Sequence, residues 1–134
     1  MSEPFNAEKF ERLHGMELGR YAIDLAEGGH LPPNCVEYVR SNAARWNGQH
    51  LEMVTYFLWK TNTTEAWHLI SIFASHPLKH IRYTILGLLE HHCPPDPFIL
   101  SKLAERLSAE TDDFEEWWIR ETHRKVLERI QTAE

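Results

Sequence analysis

Glycine and proline are scarce in this sequence, with 6 and 7 copies among 134 residues. Most of them stand between apolar stretches, which leaves long uninterrupted segments. Because glycine and proline interrupt regular structure, their placement favours helices. The length suits one compact domain. The 43% of hydrophobic residues and 25% of charged residues are typical of a soluble globular protein.

Cysteine and long apolar runs are scarce as well. Cys35 and Cys93 lie far apart and form no motif. Two such thiols are typical of a reduced, intracellular protein, although the count also allows one disulfide. The longest uncharged run, residues 66–78, is too short to span a bilayer, and the first fifteen residues have no apolar signal core. We therefore expect a cytoplasmic protein.

Positive charge is in deficit. Lysine and arginine number 14 against 20 aspartates and glutamates, which gives a net charge of −6 at pH 7. A phosphate backbone or an anionic membrane would repel the chain as a whole, so we expect neither nucleic acid nor a membrane as partner. A basic protein fits this balance better.

Sequence signatures of enzymes are missing. The chain contains no glycine-rich phosphate loop, no HExxH, no GxSxG and no CxxC pair. We therefore expect no catalytic residues and no cofactor. An active site assembled from scattered histidines and glutamates is the alternative that a single sequence leaves open.

Residues 90–93, with the sequence EHHC, are all of types that bind zinc. Neighbouring helical residues point about 100° apart, so His91 and His92 cannot both face one ion without distortion. Histidine also interacts well with the carbonyls at a helix C-terminus, and the prolines at 94–95 prevent continuation. We predict the end of a helix here and no metal site.

Hydrophobic spacing and capping residues predict an all-α fold with about six or seven helices. In the first half, Asn6 can cap a helix, and Asn34 with Glu37 has capping-box spacing. Residues 49–60 are predicted to be helical. Their β-branched and aromatic side chains leave a short strand as an alternative.

The second half carries clearer punctuation. Pro77 and Pro97 are each predicted at the first position of a helix, which in the first case covers 78–92. Asp113 and Glu116 have capping-box spacing and are predicted to open the last helix.

An internal repeat appears in the same region. The sequence IRYT at 81–84 is matched by IRET at 119–122, which is 38 residues later. A unit of about 40 residues built from two antiparallel helices is typical of helical solenoids. Residues 65–92 have a proline at the inter-helix turn and an apolar-arginine pair early in the second helix. They resemble HEAT-like repeats, and 97–130 is a weaker copy.

The resemblance implies a short right-handed solenoid of antiparallel helix hairpins that binds other proteins on a curved surface. We expect a single helical domain over 1–134. Its N-terminal helices, over 1–62, match the repeat poorly, whereas 63–93 and 96–131 are repeat-like hairpins.

The start of the last helix carries the best candidates for partner binding. Trp117 is predicted to point outward beside Arg120, a combination typical of binding hot spots. Tyr83 is predicted on the outward side of the 78–92 helix. Four acids would meet lysine or arginine on the partner: Asp112, Asp113, Glu115 and Glu116. Alternatively, another element covers the aromatic residues, and the acids are a solvated helix cap.

These features predict a non-enzymatic protein-binding module. A short, acidic chain without catalytic motifs resembles a bacterial immunity protein, which implies that it neutralises a basic toxin by direct binding. Charge would steer the association. We expect a monomer or a weak homodimer. One alternative is an adaptor or self-assembling subunit with the same fold. Another is a HEAT-like enzyme acting on nucleic acid, which would need a basic concave face.

Overall fold

The chain is helical throughout the part that the structure describes. This computed structural model describes residues 5–46, 48–109 and 112–133. In these ranges there is no strand, and no helix is long and apolar enough to cross a membrane. The elements are α1 (Ala7–Arg12), α2 (Gly15–Glu27), α3 (Cys35–Asn42), α4 (Gln49–Thr61), α5 (Thr64–Ile72), a 3-10 turn (Phe73–Ser75), α6 (Lys79–His92), α7 (Pro97–Ala109) and α8 (Asp113–Ala133). The all-α prediction is confirmed.

The described ranges hold eight α-helices, against about six or seven predicted. Asn6 caps α1 as expected, since its Oδ1 accepts the Lys9 N–H at 2.9 Å. Gly15 then turns the chain with a φ of +58°, a left-handed conformation that favours glycine. The segment 49–60 is helical, as α4, so the strand alternative is wrong.

The chain divides into two compact units, Met1–Ile70 and Ser71–Glu134. In the first unit, α2 packs against α4. In the second unit, α8 packs against both α6 and α7. The boundary at Ile70 lies inside α5, whereas the sequence pattern placed the end of the N-terminal region at residue 62.

Aromatic rings form much of the core of the first unit. Phe5 and Phe10, both buried, have ring centroids 5.5 Å apart. Phe10 lies edge-on to Trp46 at 5.6 Å, and Phe5 lies 5.2 Å from Tyr38. Offset and edge-to-face pairs at these separations are the favoured arrangements of aromatic side chains. Packing of this kind links α1 to α3 and to the segment before α4.

Glu11 provides the polar connection in the same unit. Its Oε1 accepts hydrogen bonds from the Tyr38 hydroxyl, the Arg45 guanidinium and the Trp46 indole, the last at 3.2 Å. Burial raises the pKa of Glu11, but these hydrogen bonds outweigh burial and hold the pKa below its usual value. The charged carboxylate therefore ties α1 to α3 and the turn that follows.

The capping box predicted at Asn34 and Glu37 is wrong. Asn34 has a φ of +62°, in the left-handed region, and its side chain makes no capping hydrogen bond to α3. The amide instead bonds the start of the chain: its Oδ1 accepts from the Phe5 N–H at 3.0 Å, and its Nδ2 donates to the Phe5 carbonyl at 3.4 Å. Asparagine tolerates the left-handed conformation better than most residues, and here this long-range contact replaces the local cap.

Pro77 does not begin α6, which starts at Lys79. The carbonyls of His76 and Pro77 accept hydrogen bonds from Arg82, each at 3.0 Å. His76 Nδ1 accepts the Leu78 N–H at 3.0 Å. These side-chain partners satisfy the backbone in a non-helical turn, so the helix begins two residues later than the proline predicts.

A buried ion cluster joins the elements of the second unit. Glu115 is fully buried, although its sequence position predicts a solvated acid in the first turn of α8. Arg82 of α6 donates to both of its carboxylate oxygens, at 2.7 and 3.0 Å. Arg106 of α7 donates to Oε2 at 2.7 Å. We call these three residues the Glu115 cluster.

The two guanidinium groups of the Glu115 cluster also bind backbone carbonyls. Arg106 donates to the Ala74 carbonyl at 2.9 Å, and Arg82 binds the turn before α6 as described above. Hydrogen bonds from a charged donor are shorter and stronger than hydrogen bonds between neutral groups. The cluster thus joins α6, α7 and α8 to the segment that follows α5.

The two copies of the predicted repeat are alike at the apolar position but differ at the arginine. Ile81 and Ile119 are both buried. Arg82 points into the Glu115 cluster, whereas Arg120 is exposed and pairs with Glu116 on its own helix at 2.8 Å. The solenoid arrangement stays a prediction.

Replacing Glu115 should destabilise the second unit severely. Glu115→Gln leaves two largely buried guanidinium groups without their carboxylate, a change that typically costs about 3–5 kcal/mol. The matched control is Glu116→Gln, at an exposed i,i+4 pair, which should change the free energy of unfolding by less than about 0.5 kcal/mol. Urea unfolding followed by circular dichroism measures both. Equal, small changes in the two variants would contradict a structural role for the cluster.

Candidate functional site

The start of α8 is set by a cap one residue earlier than predicted. Asp112 Oδ1 accepts the Glu115 N–H at 2.9 Å, and the Asp112 carbonyl accepts the Glu116 N–H at 2.9 Å. The predicted capping pair, Asp113 with Glu116, is therefore wrong, and Asp113 is the first helical residue. The third helical residue is Glu115. In a capping box, the side chain of this residue would accept a hydrogen bond from the backbone N–H of the cap. Here it binds Arg82 and Arg106 in the Glu115 cluster instead.

Four aromatic side chains meet where α8 begins beside α6. Tyr83 lies 5.8 Å from Phe114 and 5.2 Å from Trp118, measured between ring centroids. Phe114 lies 6.2 Å from Trp117 and 6.1 Å from Trp118. Positions 114, 117 and 118 share one side of α8 because they are three and four residues apart. We call these four residues the aromatic patch.

The outer part of the aromatic patch is open to solvent. Trp117 is 58% exposed and Phe114 is 56% exposed. Tyr83 and Trp118, which both contact Phe114, are half-buried. Single exposed hydrophobic residues are normal on protein surfaces, whereas two large rings in contact form a continuous apolar surface of the kind found at binding sites.

Trp118 is fixed by a carboxylate on the neighbouring helix. Its indole N–H donates to Glu90 Oε1 at 3.2 Å, and Lys125 pairs with Glu90 Oε2 at 2.7 Å. Burial raises the pKa of Glu90, but the hydrogen bonds from Lys125 and Trp118 outweigh burial and lower it overall. The ionised Glu90 holds the inner edge of the aromatic patch against α6.

The four predicted acids do not form one acidic surface, because most of them are engaged by neighbouring groups. Asp112 is used as the cap and also lies 3.8 Å from Lys79. Glu116 is bound by Arg120, whose Nε and Nη2 both donate to Glu116 Oε1. Asp113 is exposed at the edge of the aromatic patch. Glu110, which belongs to the same acidic stretch, lies outside the described residues.

The predicted site residues therefore do not form one continuous surface in the structure. The outward position of Trp117 is confirmed. Tyr83 is half-buried, in contact with α8, so it supports the patch rather than presenting a free ring. Glu115 is inside the second unit, and that position is a correction: its carboxylate is not accessible to a partner. Phe114 was not among the predicted site residues, although its spacing of three residues from Trp117 was a usable signal.

The EHHC stretch is the end of α6, as predicted. The helix ends at His92, and the Cys93 N–H bonds the Leu89 carbonyl. Arg129 donates to the carbonyls of Leu89, Glu90 and Cys93, which satisfies groups that a helix C-terminus leaves unpaired. No group of three or more histidine, cysteine or acidic residues in the described ranges could hold a metal ion.

Both cysteines are free and buried. Burial raises the pKa of the Cys93 thiol to about 11 and that of the Cys35 thiol to about 12. Neither is therefore a thiolate at neutral pH, and the thiolate is the reactive form.

An open groove of about 500 Å³ lies beside the end of α8. The residues that line it are Pro95, Lys125, Glu128, Arg129, Thr132 and Ala133. Its cationic side chains are engaged within the protein, because Lys125 pairs with Glu90 and Arg129 binds the end of α6. The groove offers much less binding chemistry than the aromatic patch.

Comparison with protein-family models, with curated proteins and with solved structures finds no match for this chain. The role of the aromatic patch has to be inferred from the chemistry of its own residues.

The lowered pKa of Glu90 predicts a loss of stability in acid. A carboxyl whose pKa is lower when folded contributes stability above its unfolded value, near 4.5. That contribution is lost as the pH falls through the folded pKa. Glu90→Gln should therefore be less stable than the unmodified protein at pH 7, and the gap should narrow towards pH 3. Urea unfolding across this range measures the gap.

Glu105→Gln is the matched control for this pH series. Glu105 is exposed and lies 3.4 Å from Lys102, so its gap from the unmodified protein should be small at every pH. A gap for Glu90→Gln that is constant or grows in acid would show that the carboxylate is not what stabilises this contact.

Proposed function

We propose that this chain is a non-enzymatic protein-binding module that holds its partner through the aromatic patch at the start of α8. The observation that carries the proposal is the exposed contact between Phe114 and Trp117. Tryptophan and other large rings dominate the energetics of many interfaces, because they bury a large area with little loss of side-chain freedom. Here Phe114 rests on Tyr83 and Trp118, and Trp117 lies against Phe114, so the outer rings are positioned before a partner arrives.

We further propose that the partner is basic and that the chain acts as an inhibitor of it, in the manner of an immunity protein. The net charge of −6 favours a cationic partner over nucleic acid. Asp113 is exposed beside the rings, where it would steer and orient lysine or arginine. In this proposal the helices form a short HEAT-like solenoid, and α8 supplies the binding surface.

The decisive experiment is affinity capture followed by measurement with the purified partner. The bait is the complete chain, and captured proteins are identified by mass. Trp117→Ala should weaken binding of the purified partner by about 30-fold or more, since central aromatic residues of an interface contribute about 2 kcal/mol or more when truncated. Isothermal titration calorimetry gives the dissociation constants, and circular dichroism confirms that the variant is folded.

The control variant is Met16→Ala. Met16 is the most exposed large hydrophobic residue described, at 85%, and it lies on α2, outside the aromatic patch. Its truncation should leave the affinity unchanged. An affinity that survives Trp117→Ala would overturn the proposed surface. For the inhibitor role, co-expression of the chain should rescue growth of cells in which the partner alone is toxic, and Trp117→Ala should reduce the rescue.

A further inference from the structure

We infer that the group recognised by the aromatic patch is an arginine side chain of the partner, stacked on Phe114 and Trp117 with Asp113 as its counter-ion. This inference rests on the proposed function, because it names the chemistry that the same surface would bind. It follows from three features of α8 and from a comparison with the other rings of the chain.

The first feature is the spacing of the three residues. Asp113 and Trp117 are four apart and Phe114 and Trp117 are three apart, so Trp117 has both residues as neighbours on the helix surface. A carboxylate beside two rings matches the guanidinium group, which is planar, stacks on ring faces and pairs with carboxylates. The ammonium group of lysine is a compact, strongly hydrated charge and matches the two ring faces less well.

The second feature is the state of the neighbouring charges. Glu116 is already bound by Arg120 through two nitrogens, and Asp112 is used as the helix cap and lies near Lys79. These pairs largely neutralise one another. Asp113 is therefore the carboxylate best placed to meet a cation brought by a partner.

The third feature is the absence of an internal cation over the outer rings. Elsewhere the chain covers aromatic faces with its own lysines: Lys102 lies 5.3 Å above Phe98 and Lys60 lies 4.2 Å above Trp59. On the inner part of the patch, Lys79 lies 6.0 Å from the Tyr83 ring. Within the described ranges, no lysine or arginine lies over Phe114 or Trp117.

A direct test uses a small probe and the complete chain. Nα-acetyl-arginine methylamide is titrated against the ¹⁵N-labelled protein, and the five indole N–H resonances are followed by NMR. The neutral isostere Nα-acetyl-citrulline methylamide and the lysine analogue are titrated in parallel at equal ionic strength. The Trp117 resonance is assigned by its disappearance in Trp117→Phe.

The expected result is a saturable shift of the Trp117 resonance with the arginine probe, larger than the shift of any other indole. The citrulline probe should bind at least about threefold more weakly, because it lacks the charge that the rings and Asp113 attract. Asp113→Asn should weaken the arginine probe by about two- to threefold. The matched control, Phe98→Ala, removes an exposed ring outside the patch and should change nothing at Trp117.

Equal shifts with arginine and citrulline, or arginine shifts spread evenly over all five indoles, would overturn the inference. Its failure is distinguishable from failure of the proposed function. A partner whose affinity depends on Trp117, combined with a silent arginine probe, would refute the arginine and leave the binding module standing. A specific arginine response, without any partner whose affinity depends on Trp117, would support recognition of arginine and refute the binding module.

Discussion

The second unit depends on one carboxylate held between two guanidinium groups. Glu115 lies near the N-terminus of α8, and Arg82 and Arg106 reach it from α6 and α7. A buried ion set of this kind adds little net stability compared with an apolar core, but the loss of any member leaves an uncompensated charge. Its contribution is therefore to the register of α8 against the two other helices.

The same constraint sets the orientation of the aromatic patch. Once Glu115 faces inward, helical geometry places Ile119, Thr122 and Val126 on the buried side with it. Trp117, two residues after Glu115, must then point about 200° away, which is outward. The exposed ring is thus a consequence of the buried charge. Trp118 in turn is held at the border by its hydrogen bond to Glu90.

Sequence patterns correctly predicted the features that depend on interactions between residues close together in the chain. The helices, the cap at Asn6 and the outward Trp117 follow from hydrophobic spacing and capping chemistry, which involve residues a few positions apart. Glu115 and Asn34 were misassigned because each has a partner far away in the sequence: Arg82 lies 33 residues from Glu115, and Phe5 lies 29 residues from Asn34. An acid in the first turn of a helix is usually a solvated cap, and nothing within that turn signals that arginines from two other helices will bind it.

Because the ribosome synthesises the chain from its N-terminus, the order of residues in the Glu115 cluster has a consequence for folding. Arg82 and Arg106 emerge from the ribosome before their counter-ion, so α6 and α7 first appear carrying two like charges that must share one small volume. Burying either guanidinium group before Glu115 is synthesised would leave a charge without its counter-ion. The Glu115 cluster therefore cannot form before α8 is synthesised.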